Sequence, residues 1–148
     1  MLVPTRIMVP TDFSEYSDRA LAQGLDIAGQ YNAKLFLLHV VLDDVHRGNF
    51  EFTLPEEMVQ EIKDGAVSWA NTSFQKQLEF FPQAKEVEVA TNVRHGIPYD
   101  EILKEGKEKK IDLVVIASLG KTGLAKYFIG CVARHVLQGS KCPVLLTR

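Results

Sequence analysis

The chain is short of cysteine, of surplus positive charge and of long apolar runs, and each shortage excludes a class of function. Two cysteines in 148 residues, Cys131 and Cys142, cannot build a disulfide framework, and neither falls in a metal-ligand spacing. Both read as small, mostly buried thiols of a protein kept in a reducing cytoplasm. A formal charge of −2 offers no concentrated basic face for nucleic acid. The lysines between 104 and 110 are interleaved with Glu105 and Glu108, the pattern of a solvated helix end. No apolar run is long enough to span a bilayer, and the first residues lack the apolar stretch of an export signal. Neither nucleic acid nor a membrane is therefore expected as a partner.

Catalytic constellations are missing as well. His39, His46, His95 and His135 are scattered, without the spacing of a metal site or a triad. His39 reads as packed at a strand end. Ser118 lacks the flanking glycines of a nucleophile elbow. Gly120-Lys121-Thr122 ends like a phosphate-binding Walker sequence, but Val115 stands where its first glycine belongs. Trp69, Phe74, Phe80 and Phe81 fall on or near a long helix and read as core packing.

What is present is a regular alternation, at a length and a hydrophobic content of 46% that suit one domain over residues 1–148. Arg6-Ile7-Met8-Val9-Pro10 is a first strand, and Ser14 caps a helix carrying Leu21, Gly24, Leu25 and Ala28 on one face. Asn32 closes that helix in a left-handed conformation. Residues 34–41 form an apolar run covered on both faces, and residues 43–52 a loop. Thr53-Leu54-Pro55-Glu56 has the form of a capping box opening a long helix with Ile62, Ala66, Ala70, Phe74 and Leu78 as its buried stripe. Val87, Val89, Thr91 and Val93 alternate with polar residues, as an edge strand does. Pro98 opens a third helix, residues 111–117 form a doubly buried strand, a last helix runs from about Gly130 to Gln138, and Val144 to Thr147 form a final strand. This order implies an α/β fold: a single doubly wound, five-stranded parallel sheet with helices on both faces, Rossmann-like. Ligands of such sheets collect beyond the strands' carboxyl ends, where the winding reverses.

One segment points at a ligand directly. Leu113-Val114-Val115-Ile116-Ala117-Ser118-Leu119-Gly120 carries a strand into a glycine-bearing loop, and a helix starts at Gly130-Cys131-Val132. Backbone N–H groups at such a loop and helix N-terminus favour an anion, typically a phosphate.

Val9-Pro10-Thr11-Asp12-Phe13-Ser14-Glu15, Leu38-His39-Val40, Gly96-Ile97-Pro98 and Cys142-Pro143-Val144-Leu145-Leu146, in that order and spacing, resemble the universal stress proteins over the whole chain. The nucleotide-binding branch of that family is similar in using a glycine, two residues, a second glycine, nine residues, and a third glycine followed by serine or threonine. Gly120 and Gly130 stand at the second and third glycines, but Ala117 replaces the first and Cys131 the hydroxyl residue. The resemblance implies an adenine-nucleotide-binding regulatory module of the stress response rather than a fast enzyme. It implies a site built from Pro10, Thr11, Asp12, Val40, Ala117, Gly120, Lys121, Gly130, Cys131 and Val132. Adenine would lie against Val9, Pro10 and Val40, the ribose near Asp12, and the phosphates along Gly120 and Lys121 toward Gly130. ATP and AMP are both admitted, with Mg2+ carried on the phosphates.

Alternatives stay open at several of these positions. Asp12 serves a ribose hydroxyl or a phosphate-bound metal on one reading and caps the first helix or forms an Asx turn on the other. Lys121 neutralises phosphate or is a plain surface lysine. The whole chain also reads as a dimeric interaction protein of the same fold with a site plugged by Leu119 or Phe128, or as a slow ATP hydrolase working through Asp12. The resemblance further implies a homodimer joined through the C-terminal strand, and a protein partner whose identity the sequence does not carry.

Overall fold

A computed structural model describes residues 1–42, 54–120 and 129–148. The elements are β1 (Arg6–Pro10), α1 (Glu15–Tyr31), β2 (Lys34–Val41), α2 (Glu56–Glu79), β3 (Val89–His95), α3 (Pro98–Glu108), β4 (Leu113–Ala117), α4 (Cys131–Gly139) and β5 (Val144–Thr147), with a short 3-10 helix, Pro82–Glu86, after α2. The five strands are parallel in the order β3-β2-β1-β4-β5. The winding therefore reverses between β1 and β4.

Period-two alternation divides the central strands between two cores. Ile7, Val9, Leu35, Leu37, Leu113 and Val115 face α1 and the second half of α2. Met8, Phe36, Leu38, Val114 and Ile116 face Ile102 of α3 and Ala133 and Val136 of α4. Both sheet faces are thereby removed from water, which is why these strands read as unbroken apolar runs. Ser14 caps α1 through its side chain, accepting from the Ser17 N–H, and Asn32 closes the helix at φ 53°. Gly24 lets α1 sit on the sheet: a Cβ there would stand 2.6 Å from Val9 Cγ2.

Several local expectations are corrected. The helix α2 starts at Glu56 with Pro55 as its N-cap and no side-chain cap; Thr53, the expected cap, lies outside the described residues. The buried stripe of α2 begins only at Ala70, since Ile62 is 50% exposed where the helix overhangs the sheet. Val87 follows the 3-10 helix, and the edge strand starts at Val89. Phe80 is exposed, and Trp69, although on the same helix as buried Phe74, is not a core residue either. Cys131, the first residue of α4, is exposed and Cys142 half-buried, so neither is the buried thiol expected. Glu105, read as part of a solvated helix end, is 1% exposed. Its carboxylate accepts from Arg94 Nη1 at 2.7 Å and from Asn92 Nδ2 at 3.0 Å, pairing β3 with α3. The expected loop at 43–52 lies outside the described residues. Among the described residues no helix is long and apolar enough to cross a membrane.

Candidate functional site

A cavity of about 570 Å³ opens at the carboxyl ends of β1, β2 and β4, beside the winding reversal. Its size falls within the roughly 300–1,000 Å³ usual for small-molecule sites.

The floor comes from strand ends. β1 delivers Pro10, Thr11 and Asp12, and β2 delivers Leu38, His39 and Val40. Thr11 extends the ladder by one residue, its N–H donating to Leu38 O at 2.8 Å. The Thr11 hydroxyl is buried and held by Ser17 and Gln77, while it accepts from the Phe13 N–H at 3.0 Å. That bond folds the chain back at Phe13, whose φ of +62° is left-handed. His39 Nδ1 donates to Thr11 O at 2.8 Å, which orients the ring toward the end of β1.

Asp12 does two things at once. Oδ1 accepts from the N–H and the hydroxyl of Ser14, an Asx turn that holds the entry to α1. Oδ2 lies toward Gly120, where a Cβ would stand 2.8 Å from it. The Asx-turn reading of Asp12 is thus met by one oxygen, while Ser14 caps the helix, and the other oxygen is at the cavity wall.

The opposite wall comes from β4 and α4. Ala117 is the last residue of β4 and has ordinary backbone geometry, for the non-glycine residues with positive φ among those described are Phe13, Asn32 and Lys110. Alanine in place of the first motif glycine therefore carries no backbone strain. Ser118 is buried and its N–H donates to Thr147 O at 2.8 Å. Gly130 approaches the same turn: its N–H donates to Ser118 O at 2.6 Å, and a Cβ there would stand 3.1 Å from that oxygen. The Gly130 N–H, expected to serve an anion, is therefore spent within the fold. α4 starts from Gly130 without a side-chain cap, and the N–H groups of Cys131, Val132 and Ala133 have no intrahelical acceptor. They carry the positive end of the helix dipole to the cavity wall.

Of the ten residues expected at the site, Pro10, Thr11, Asp12, Val40, Ala117, Gly120, Gly130, Cys131 and Val132 line this one cavity. Lys121 lies outside the described residues, as does Phe128. Val9 does not reach the cavity: it is fully buried on the α1 side of the sheet, because its neighbour Pro10 takes the cavity face. Leu119 lines the cavity and does not fill it. Sequence reasoning passed over His39 and Trp69, which both line it. The signal for His39 was its place beside Val40 at a strand end. Trp69 gave none, since a helical stripe turned toward a cleft looks like one turned toward a core. Among the described residues no cluster of three His, Cys, Asp or Glu side chains is placed to hold a metal ion.

Known proteins resemble this chain in sequence and fold. The profile of the universal stress protein family matches residues 4–148. The universal stress protein YxiE of Bacillus subtilis is 32% identical over 152 residues, which cover 97% of this chain and 98% of that protein. A solved protein of Methanocaldococcus jannaschii is 26% identical with a TM-score of 0.84, over 99% of this chain and 96% of the other. A universal stress protein of Archaeoglobus fulgidus, solved in complex with dAMP, has the same fold at 20% identity and a TM-score of 0.60, over 99% of this chain and 100% of the other. With a family match that runs almost from end to end and a relative of that identity along nearly its full length, this chain belongs to the universal stress protein family.

Proposed function

We propose that this protein binds an adenine nucleotide in the cavity between β1, β2 and β4 and acts as a regulatory module of the stress response. One observation carries the reading: nine residues from four separate segments converge on a single cavity that meets the uncapped start of α4. A nucleotide needs both of that cavity's characters. Pro10 and Val40 offer an apolar surface to the base, while the first-turn amides of α4 offer donors to a phosphate. Asp12, between them, is positioned for a ribose hydroxyl. The dAMP complex of the Archaeoglobus fulgidus protein supports the ligand class. A divalent ion brought with the ligand would be held by the phosphates, with Asp12 the nearest carboxylate on this chain.

The protein assembles as a homodimer through β5. That strand pairs with β4 on one side only, and its sequence is apolar, Val144-Leu145-Leu146-Thr147, with Leu145 exposed. An open apolar edge of this kind invites a second strand.

Calorimetric titration of AMP and ATP into the full chain tests the reading. Binding with micromolar to sub-millimolar affinity is expected, together with adenine nucleotide released from freshly purified, denatured protein. Absence of heat at millimolar ligand would leave the fold as a scaffold without this function.

A further inference from the structure

We infer that Trp69 is a base-recognition residue: the indole forms an aromatic wall of the cavity against which a planar heterocycle stacks. The inference rests on the nucleotide reading above and extends it to a residue of α2, an element that reading does not use. Trp69 lines the cavity and is 53% exposed, although Ala70 and Phe74 on the same helix are buried. An indole in a cavity wall presents a large, flat, apolar surface to a ligand that enters.

The ring is held in position from the inner side. Phe13 meets it at 5.3 Å and 88°, and His39 at 5.9 Å and 64°. Neither of these rings lies parallel to the indole. Both are themselves anchored: His39 through Thr11 O, and Phe13 through the Thr11 hydroxyl and an edge contact with Phe74 at 5.3 Å. Phe13 occupies a left-handed conformation that a bulky residue adopts at some cost. This turn brings its ring between His39, Trp69 and Phe74. A wall organised in advance loses little entropy when it stacks on a base. The cavity thus has an aromatic side built from His39 of β2 and Trp69 of α2, and an anion side at α4. It suits a purine linked to a phosphate by a short polar spacer.

Trp69 is the chain's single tryptophan, so its emission reports this position alone. The experiment titrates AMP, adenosine and ribose 5-phosphate into the full chain, following indole fluorescence and heat together. It repeats the calorimetry with Trp69→Phe and Trp69→Leu, each checked for native circular dichroism. AMP and adenosine are expected to shift the emission, and ribose 5-phosphate to leave it unchanged. Stacking of this kind predicts a loss of AMP affinity of about 5- to 100-fold in Trp69→Leu and little loss in Trp69→Phe. Ribose 5-phosphate should bind all three proteins alike. AMP binding by calorimetry with unchanged emission and unchanged affinity in Trp69→Leu would overturn the role of Trp69 and leave the nucleotide reading intact. No heat with AMP in the native chain would overturn both.

Discussion

Asp12 and Gly120 face each other so closely that a single methyl on Gly120 would sit 2.8 Å from Asp12 Oδ2. The first strand and the loop after the fourth are brought together here, and the contact is possible because position 120 has no side chain. The carboxylate cannot simply swing aside, since Oδ1 is engaged by the N–H and hydroxyl of Ser14.

Gly120→Ala is therefore expected to displace the Asp12 carboxylate and to weaken adenine-nucleotide binding about tenfold, an effect of roughly 1.4 kcal/mol. Asp12→Ala should cost a comparable amount, and the two should not add. If both act through the same contact, the double variant binds no more weakly than Asp12→Ala alone. A double-mutant cycle by calorimetry measures this. Full additivity would show that Gly120 touches the ligand independently of Asp12. The same Asp12→Ala protein, assayed for ATP turnover, tests the hydrolase alternative: a rate equal to that of the native chain removes Asp12 from any catalysis.

Cys131 stands where nucleotide-binding relatives are expected to carry a hydroxyl, and it is exposed at the first position of α4. A thiol donates only weakly to a phosphate oxygen. Cys131→Ser should strengthen AMP binding by about ten- to a hundredfold, as one added hydrogen bond to a charged group implies, and leave adenosine binding unchanged. The native thiol provides a second measurement. Alkylation of Cys131, followed by mass spectrometry, should slow when AMP is saturating. Equal rates with and without AMP would place the phosphate elsewhere.

Among the described residues, the most concentrated electrostatics lie away from the cavity, between β3 and α3. Arg94 donates to Glu101 at 2.7 Å, Glu105 at 2.7 Å and Glu108 at 2.9 Å. The bond to Glu108 and those to the other two carboxylates hold the guanidinium well above its ordinary range, against the opposing effect of burial. For Glu101, burial pushes the carboxyl up, but hydrogen bonds and charge from Arg94 and Lys104 outweigh it and hold the group below its ordinary 4.5. A carboxyl held low when folded contributes stability above its unfolded value, and that contribution is lost as the pH falls through the folded value. Stability should therefore decline below about pH 4.5, the ordinary value of the Glu101 carboxyl. Arg94→Leu removes the cation from a carboxylate whose side chain is 2% exposed, Glu105. The expected cost at pH 7 is about 3–5 kcal/mol. The difference between pH 7 and pH 4 in urea denaturation should shrink in the variant. A loss under about 1 kcal/mol would show that water reaches Glu105.

How much of this was legible in the chain depends on how local each cause is. The strands around Met8, Phe36 and Val114 could be read because both of their faces are apolar, and the ends of α1 because Ser14 and Asn32 act within a few residues of themselves. The Gly130 amide could not. Its acceptor, Ser118 O, lies well back along the chain at the end of β4, and no pattern near Gly130 announces that it is taken. Glu105 looked like a surface residue because its partner Arg94 sits on a different element. Ile62 and Trp69 have the spacing of a buried stripe, yet α2 leaves the sheet before reaching Ile62 and turns Trp69 to the cavity. Helical periodicity specifies a face and not what that face meets.

The two open edges of the sheet differ in a way that bears on assembly. β3 carries Thr91 and Asn92 exposed, and Arg94 tied into the α3 carboxylates, so this edge is polar through its middle and second half. β5 carries no charge from Val144 to Thr147 and leaves Leu145 37% exposed. Polar and charged residues discourage strand addition, and their absence permits it. Two copies are therefore expected to join β5 to β5, extending the sheet across a two-fold axis in which each copy contributes the same strand. Sedimentation at micromolar concentration should give a dimer for the native chain. Leu145→Lys should give a monomer with native circular dichroism, because the lysine faces water when the edge is open and is trapped beside its own copy when the edge is paired. Thr91→Lys on β3 should remain dimeric. A native chain that sediments as a monomer, or a Leu145→Lys protein that stays dimeric, would show that β5 is not the joining strand.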